Sequence, residues 1–225
     1  MALILNHISK NFDDTVIFDD FNIAFNEGVI SCILGPSGCG KTTLLNMMGN
    51  IVVPDKGWFE GLEGKRFSYI FQEPRLLPWK TVAENIAFVL DNNLSPEQKN
   101  EKVDALLDLV ELKSCAAHYP SQLSGGQSQR VSIARAFALD SDIILMDEPF
   151  SGLDVTLKKN IMERFLEIWK NDRRTVIFVT HDVEEALTLS DEIFVLSQSP
   201  VRILLQEKVE ASKKDLLKEA VLKVL

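Results

Sequence analysis

The sequence predicts an α/β domain built on a mostly parallel sheet, with an antiparallel β flap near the N-terminus and an inserted helical lobe. Three observations support this fold. Short apolar runs rich in β-branched residues alternate with helical patterns, as in parallel α/β domains. Two strand-like runs near the N-terminus are separated by too few residues to hold a helix. Between residues 72 and 138 the strand pattern disappears and helix-start signals dominate.

The flap and the main sheet are predicted from separate stretches of the chain. Residues 3–9 and 18–25 are typical of antiparallel strands, joined by a polar turn at 11–15. Buried strands of the main sheet are expected at four apolar runs, 29–34, 143–146, 176–179 and 193–196.

The inserted lobe has clear helix starts. Thr81 with Glu84, and Ser95 with Gln98, form capping boxes, and Pro96 takes the first position of the second helix. One buried face of that helix is predicted at i, i+3, i+4 and i+7 spacing by Val103, Leu106, Leu107 and Val110.

These patterns divide one domain, residues 1–225, into two parts. The core with its flap takes 1–72 and 139–225, and the inserted helical subdomain takes 73–138. The tail is predicted to be a helix capped by Ser212 towards Asp215. Its apolar stripe is formed by Leu216, Leu217, Ala220, Val221 and Val224. Docking onto the core is the favoured interpretation, and a membrane-surface helix is the alternative.

Composition excludes several classes of protein. With 225 residues and 46% hydrophobic residues, the chain can bury about 70% of its surface without disulfides. A formal net charge of −9 argues against a main role in neutralising nucleic-acid phosphates. Three cysteines without metal-ligand spacing (Cys32, Cys39 and Cys115) fit a reducing cytosol. We expect neither a transmembrane helix nor a secretory signal.

A glycine-rich motif follows the predicted strand at 29–34. The pattern G-x-x-x-x-G-K-[ST] is matched by Gly35, Pro36, Ser37, Gly38, Cys39, Gly40, Lys41 and Thr42, and Thr43 opens a helical run. Glycines let backbone N–H groups surround a phosphate, Lys41 can reach the β- and γ-phosphates, and the Thr42 hydroxyl can ligate Mg²⁺. A glycine turn with a surface lysine is the alternative. The strand before and the helix after the motif favour a P-loop NTPase core.

Two adjacent carboxylates end the apolar strand at 143–146. Asp147 is placed to hold Mg²⁺ through water, and Glu148 to polarise a water for in-line attack on the γ-phosphate. A helix cap just past a strand end is the structural alternative, and the phosphate loop makes it the weaker one.

A third motif combines a helix start with two glycines. Ser124 and Gln127 form a capping box around Gly125 and Gly126, so a helix begins here with exposed N–H groups. A phosphate can approach such a backbone closely. Plain capping is the alternative for this motif taken alone.

These motifs occur in an order that resembles that of a known family. Gln72 lies between the first two motifs, Asp154 ends a Ser-Gly-Leu-Asp run after the carboxylates, and His181 ends a strand. Over nearly the whole chain the sequence resembles the ATP-binding subunit of an ABC transporter. The resemblance implies an ATPase that uses ATP and Mg²⁺ and closes as a head-to-tail pair of copies. Each nucleotide would lie between the Lys41 loop of one copy and residues 124–127 of the other.

The resemblance also implies individual roles. Gln72 would sense both Mg²⁺ and the attacking water, and it would share the Mg²⁺ site with Thr42 and Asp147. His181 would contact the γ-phosphate, and Asp154 would cross the dimer interface. Phe12 lies where the family places an aromatic side chain that stacks on adenine, although packing of this ring onto the flap is the alternative.

A further likeness narrows the class. Phe71-Gln-Glu-Pro-Arg-Leu-Leu-Pro-Trp79, with Thr81-Val82 and Glu84-Asn85, resembles the importer subfamily for nitrate, sulfonates, taurine and related small molecules. By that likeness a permease coupling helix would dock near Leu76, Leu77, Pro78 and Trp79. The alternative is that these four side chains pack the inserted lobe.

The resulting hypothesis is an ATPase subunit on the cytoplasmic face of a bacterial inner membrane, attached peripherally. Its expected partners are a second copy of itself, transmembrane permease subunits and, indirectly, an extracytoplasmic solute-binding protein, with no nucleic acid. The sequence ends soon after the last predicted strand and one helix, so we expect no C-terminal regulatory domain. A soluble ABC ATPase without a permease and a non-hydrolysing ATP-binding scaffold stay open as alternatives.

Overall fold

Two sheets and their connecting helices form the computed structural model, which describes residues 2–225. The strands are β1 (Ala2–Phe12), β2 (Thr15–Asn26), β3 (Ile30–Leu34), β4 (Lys56–Glu60), β5 (Phe67–Ile70), β6 (Ile143–Asp147), β7 (Thr175–Val179), β8 (Glu192–Leu196) and β9 (Ile203–Lys208). The α-helices are α1 (Lys41–Met48), α2 (Val82–Ala87), α3 (Pro96–Leu109), α4 (Gly125–Ala138), α5 (Val155–Asp172), α6 (Val183–Leu189) and α7 (Lys214–Val224). Short 3₁₀ turns occur at Lys113–Cys115, Pro120–Gln122 and Ala211–Lys213.

The larger sheet has the strand order β5-β6-β7-β3-β8-β9. Neighbouring strands from β5 to β8 run parallel, and β9 is antiparallel to β8. Every residue of β3, β6, β7 and β8 is buried, which explains why these four strands were predicted from continuous apolar runs. The α/β class with a mostly parallel sheet is therefore confirmed.

The smaller sheet is an antiparallel flap with the order β2-β1-β4. The β1–β2 pairing extends to Phe12 opposite Thr15, so the turn contains only Asp13 and Asp14 and is shorter than predicted. Asp13 has a φ of 48°, the left-handed conformation that tight hairpins need. The sequence pattern did not predict β4, a short and mostly exposed strand that pairs with the distant β1.

Apolar side chains alternate between the two faces of the larger sheet. Ile143 and Leu145 join a cluster with the flap and α1, whereas Ile144 and Met146 join a second cluster with α3, α4 and α5. The sheet is thus the middle layer of the molecule, and its two faces are covered by different elements.

The chain between β5 and β6 is helical, as predicted. The capping boxes at Thr81, Ser95 and Ser124 are all present. On α3, Val103 and Leu107 are buried. The cluster on this face of the sheet includes Val82 and Val103 together with Ile144 and Phe178, so it spans both predicted parts of the chain. The division into 1–72 with 139–225 and 73–138 stays a prediction.

The tail differs from its prediction. A 3₁₀ turn at Ala211–Lys213 precedes α7, and Lys213 is its N-cap without a side-chain bond, so the predicted Ser212 cap is wrong. Leu217 and Val221 are buried, but Leu216 is 68% exposed. A spacing of four residues keeps the first two on the docked face, and Leu216 falls beside it. Within residues 2–225, each helix is too short or too polar to span a bilayer.

Candidate nucleotide-binding site

The predicted chemical groups lie at one edge of the larger sheet. Strands β5, β6, β7 and β3 are parallel neighbours, so the loops that follow them leave the same edge. Gln72 follows β5, Asp147 ends β6 with Glu148 directly after it, and His181 follows β7. A cavity of about 260 Å³ at this edge is lined by Ile17, Ser37, Gly38, Gly40, Lys41, Thr42, Thr43, Gln72, Asp147 and Glu148.

The loop between β3 and α1 has the backbone of a phosphate cradle. Gly38 and Gly40 have φ values of 75° and 119°. A Cβ on Gly40 would lie 2.6 Å from the Cγ2 of Ile17, so only glycine fits against the flap at that position. Gly40 caps α1 without a side-chain bond, and the first turn of α1 has no acidic residue. The positive end of the helix dipole therefore faces the cavity.

Lys41 is almost fully buried and is fixed by its own loop. Its Nζ donates to the carbonyl oxygens of Gly35, at 2.7 Å, and Pro36, at 2.8 Å. An ammonium has three N–H donors, so these two bonds leave capacity for a phosphate oxygen. The arrangement supplies a positive charge at the wall of the cavity.

Asp147 and Thr42 form an oxygen pair beside Lys41. The Thr42 Oγ1 donates to Asp147 Oδ1 at 3.1 Å. Burial raises the pKa of Asp147, and the bond from Thr42 opposes this rise. Across residues 2–225, His, Cys, Asp and Glu nowhere form a group of three or more suited to a metal. Mg²⁺ commonly takes one or two protein oxygens together with substrate phosphates and water, so the Asp147–Thr42 pair fits that ion.

Glu148 and His181 are in contact. The Nδ1 of His181 lies 3.3 Å from Glu148 Oε1. Glu148 has a φ of 46°, unusual for a residue with a side chain. Its N–H donates to Val179 O at 3.0 Å, and its carbonyl accepts from the Ser151 N–H and hydroxyl. The sequence placed both side chains near the γ-phosphate separately and did not predict this contact.

An aromatic stack lies beside Gln72. The rings of Tyr69 and Phe71 stack with centroids 4.1 Å apart, and the Arg75 guanidinium lies 3.8 Å from the Phe71 centroid. Tyr69 donates to Asn46 Oδ1 on α1 at 2.9 Å. A site role for Tyr69 and the cavity residue Ile17 was not predicted, because an aromatic or aliphatic residue in a strand is more often core. Asn46, on α1, was not predicted either.

The third motif and Asp154 are neighbours at two helix starts. Ser124 Oγ accepts from the Gln127 N–H at 3.2 Å, and Gln127 Oε1 accepts from the Ser124 N–H at 2.8 Å. A Cβ on Gly126 would lie 3.4 Å from Gly152 O, two residues before Asp154. Asp154 caps α5 by accepting from the Leu157 N–H at 3.0 Å. The cavity beside Lys41 in the same chain is lined by other residues, so residues 124–127 and Asp154 do not contribute to it. Their binding to the nucleotide of a second copy stays a prediction.

Two predicted contact groups are at the surface. Phe12 ends β1 with its ring half exposed, and Lys10 Nζ lies 5.2 Å from the ring centroid. Trp79 is 70% exposed, whereas Leu76 packs partly against the core. Leu76 therefore partly serves packing of the lobe, and Trp79 points outward. Phe88, the C-cap of α2, is 61% exposed, and this exposed aromatic side chain was not predicted from the sequence.

The fold and the site together define a nucleoside-triphosphate-binding α/β ATPase. The family model described as ABC transporter matches residues 18–151. The sulfate/thiosulfate import ATP-binding protein CysA of Gloeobacter violaceus is 40% identical over 211 residues, which cover 89% of this chain but only 61% of that protein. The aliphatic sulfonates import ATP-binding protein SsuB of Bacillus cereus is 38% identical over 217 residues, which cover 90% of this chain and 84% of that protein.

Solved structures agree with the sequence comparisons. The dimeric post-hydrolysis state of the ATP-binding cassette MJ0796, bound to ADP and Pi, superposes with a TM-score of 0.81 at 30% identity, covering 93% of this chain and 99% of that one. Another dimeric structure of MJ0796, a bacterial ABC transporter cassette, has a TM-score of 0.83 at 30% identity and the same coverage. The chain belongs to the ABC transporter family, as one of its ATP-binding, ATP-hydrolysing subunits.

Proposed function

We propose that this chain energises import of a small solute of the sulfonate, sulfate, nitrate or taurine type through a membrane permease. The observation that carries the proposal is the convergence of Lys41, Thr42, Asp147, Glu148 and His181 at one sheet edge. The names of the CysA and SsuB relatives support import, and they support the sulfur oxyanion classes most directly.

Binding of ATP uses the loop between β3 and α1. The Lys41 ammonium and the open N-terminus of α1 attract the β- and γ-phosphates, and the glycines let the backbone approach them. Phe12 stacks on adenine through its exposed ring face, which needs no hydroxyl.

Hydrolysis uses the carboxylates and His181. Thr42 and Asp147 would hold Mg²⁺, with Gln72 close by in the same cavity. Held there, the ion would supply charge neutralisation for the β- and γ-phosphates. Glu148 accepts a proton from the attacking water, and its fixed backbone holds the carboxylate in place. His181 orients Glu148 through the 3.3 Å contact and binds a γ-phosphate oxygen.

A second copy completes each site. The starts of α4 and α5 lie side by side through Gly126 and Gly152, and both present helix N-terminal N–H groups. We place residues 124–127 and Asp154 against the nucleotide of the partner copy. The dimeric state of the MJ0796 cassette supports this arrangement.

A permease docks at the inserted lobe in this proposal. Trp79 and Phe88 are large apolar side chains that are mostly exposed near one another in sequence. They provide an apolar surface for a helix of the membrane subunit. The chain is then held peripherally at the cytoplasmic face of a bacterial inner membrane, with a solute-binding protein acting on the outer side of the permease.

The test is solute-dependent growth of the native cell. The gene is deleted, and growth is measured with sulfate, an alkanesulfonate or taurine as the only sulfur source, and with nitrate as the only nitrogen source. Loss on one solute, restored by the wild-type gene but not by Glu148→Gln, supports the proposal. Unchanged growth on all four, together with a wild-type chain absent from the membrane fraction, contradicts it and favours an ABC ATPase that acts without a permease.

A further inference from the structure

A buried ion cluster lies behind His181. Glu185 on α6 is 3% exposed, and a buried carboxylate requires partners. Its Oε1 lies 2.6 Å from Lys158 Nζ, and its Oε2 accepts from the Thr180 hydroxyl at 2.7 Å. Lys158 is therefore the cation that makes burial of Glu185 possible.

The cluster fixes both neighbours of His181. Thr180 is bound to Glu185, and its Oγ1 also accepts from the Asp182 N–H at 3.1 Å. Lys158 Nζ donates to Asp182 Oδ2 at 3.0 Å. The His181 side chain itself is 67% exposed. Its position against Glu148 thus depends on a backbone turn that Lys158 holds from behind.

Lys158 also belongs to the helix that starts at Asp154. Its backbone N–H donates to Asp154 O at 2.8 Å in the first turn of α5. Lys158 and Glu185 line the same cavity of about 140 Å³ as Glu148 and His181, and Ser151 and Gly152 also line it. Lys158 therefore connects the start of α5, which we propose to contact the nucleotide of the partner copy, with the turn that carries His181.

The geometry points to Lys158 as a positioning residue that holds His181 in contact with Glu148 and connects this pair to the dimer-facing start of α5. This inference rests on the roles proposed above for Glu148 and His181. Lys158 touches neither the cavity that holds the phosphates nor the Thr42–Asp147 pair. Its loss is expected to lower turnover far more than it weakens ATP binding, because Lys41 and the start of α1 are untouched.

Steady-state hydrolysis by the full chain tests the inference. Lys158→Met should lower kcat about 10-fold and leave KM for ATP within about twofold, because a small misplacement of a catalytic group by a distant mutation can cost up to about 100-fold in rate. Lys158→Arg keeps the charge and should retain most of the rate. The matched control is Lys159→Met, an exposed neighbour whose only ion pair is a 3.9 Å contact with Glu163 within the described residues. Wild-type kcat in Lys158→Met, or an equal loss in Lys159→Met, overturns the inference.

A double variant separates positioning from stability. Lys158→Met leaves Glu185 buried without a cation, so it lowers Tm; adding Glu185→Gln removes the charge and keeps an acceptor for Thr180. The double variant should regain Tm but not kcat, since Asp182 Oδ2 still lacks its bond from the Lys158 ammonium. Recovery of kcat together with Tm would show a purely structural role and refute the inference.

Imidazole NMR gives a readout that does not need turnover. The chain has three histidines, so the His181 signal is assigned by its loss in His181→Ala. Lys158→Met should shift that signal and leave those of His7 and His118 in place, whereas an unshifted His181 signal contradicts the inference. An inactive wild-type chain with a shifted signal would instead count against the proposed function alone.

Discussion

At the scale of single residues, Glu148 combines a strained backbone with a paired side chain. A left-handed φ of 46° costs about 1–3 kcal/mol for a residue of this type. Both bonds from Ser151 to the Glu148 carbonyl and the N–H bond to Val179 offset that cost. The Glu148 carboxylate is consequently held in contact with His181. It also lines the cavity that Lys41 and Asp147 line.

Glu148→Gln should lower turnover about 10²–10⁴-fold, the size expected for loss of a general base. ATP binding should persist, because glutamine has the same shape and the phosphate contacts of Lys41 are untouched. Phosphate release and equilibrium binding of a fluorescent ATP analogue measure the two effects. Glu163→Gln, an exposed glutamate on α5, is the control. Turnover at the wild-type rate in Glu148→Gln would show that another group activates the water.

Thr42→Val should raise the Mg²⁺ concentration needed for half-maximal hydrolysis about 10- to 100-fold. Valine keeps the shape but loses the hydroxyl 3.1 Å from Asp147, and a bond to a charged partner contributes about 1.5–3 kcal/mol. A Mg²⁺ titration of phosphate release measures the change. Thr42→Ser retains the hydroxyl and should behave as the wild type. An unaltered Mg²⁺ requirement in Thr42→Val would remove Thr42 from the metal site.

At the scale of secondary-structure elements, the predictions that agree best with the structure are those that rest on residues close together in the sequence. The three capping boxes need only a serine or threonine and a glutamate or glutamine three positions later, and all are present. Strands β4 and β5 were missed, since they are short and pair with strands that are distant in sequence. Strand β9 pairs with the adjacent β8, and it was missed because most of its residues are exposed and give no continuous apolar run. The Ser212 cap failed because a 3₁₀ turn, with Lys213 paired to Glu210, occupies that segment.

Contacts between different secondary-structure elements could not be predicted from the sequence either. The phosphate loop and the carboxylate pair are each contiguous, so their chemistry could be predicted from one stretch. The 3.3 Å contact of Glu148 with His181 depends on β6 pairing with β7 in register, which the sequence does not state. The fit of Gly40 against Ile17 likewise depends on how the flap packs.

Ser124→Ala and Ser95→Ala form a matched pair of cap deletions. Each removes one capping box, so each should lower the free energy of unfolding by about 1 kcal/mol. Only Ser124→Ala should also reduce ATP hydrolysis, because only that helix start is placed at the partner's nucleotide. Urea unfolding and phosphate release give the two readouts. Equal hydrolysis in both variants would contradict the role of residues 124–127 in trans.

At the scale of the whole molecule, a short path joins the proposed docking surface to the site. Asn85 is buried, and its side chain bonds the Leu77 N–H and the carbonyls of Leu77, Lys80 and Thr81. The segment that carries Trp79 is therefore fixed to α2. From there the chain runs back through Arg75, whose guanidinium lies on the Phe71 ring, to Gln72 in the cavity beside Lys41. We therefore expect a partner that moves the Trp79 segment to affect the position of Gln72.

Trp79→Ala tests that docking surface. A large apolar side chain that is 70% exposed is a strong candidate for an interface anchor, and loss of such a tryptophan typically costs 2 kcal/mol or more, about 30-fold in affinity. We expect the permease to be lost from affinity-purified complexes, with ATP binding by the chain unchanged. Trp58→Ala on the flap is the control, since Trp58 is 53% exposed and lies against His7, on the opposite face of the sheet from the lobe. Because both variants remove one exposed indole, a difference between them isolates position from hydrophobicity. Equal permease recovery with Trp79→Ala and wild type would place the docking surface elsewhere on the molecule.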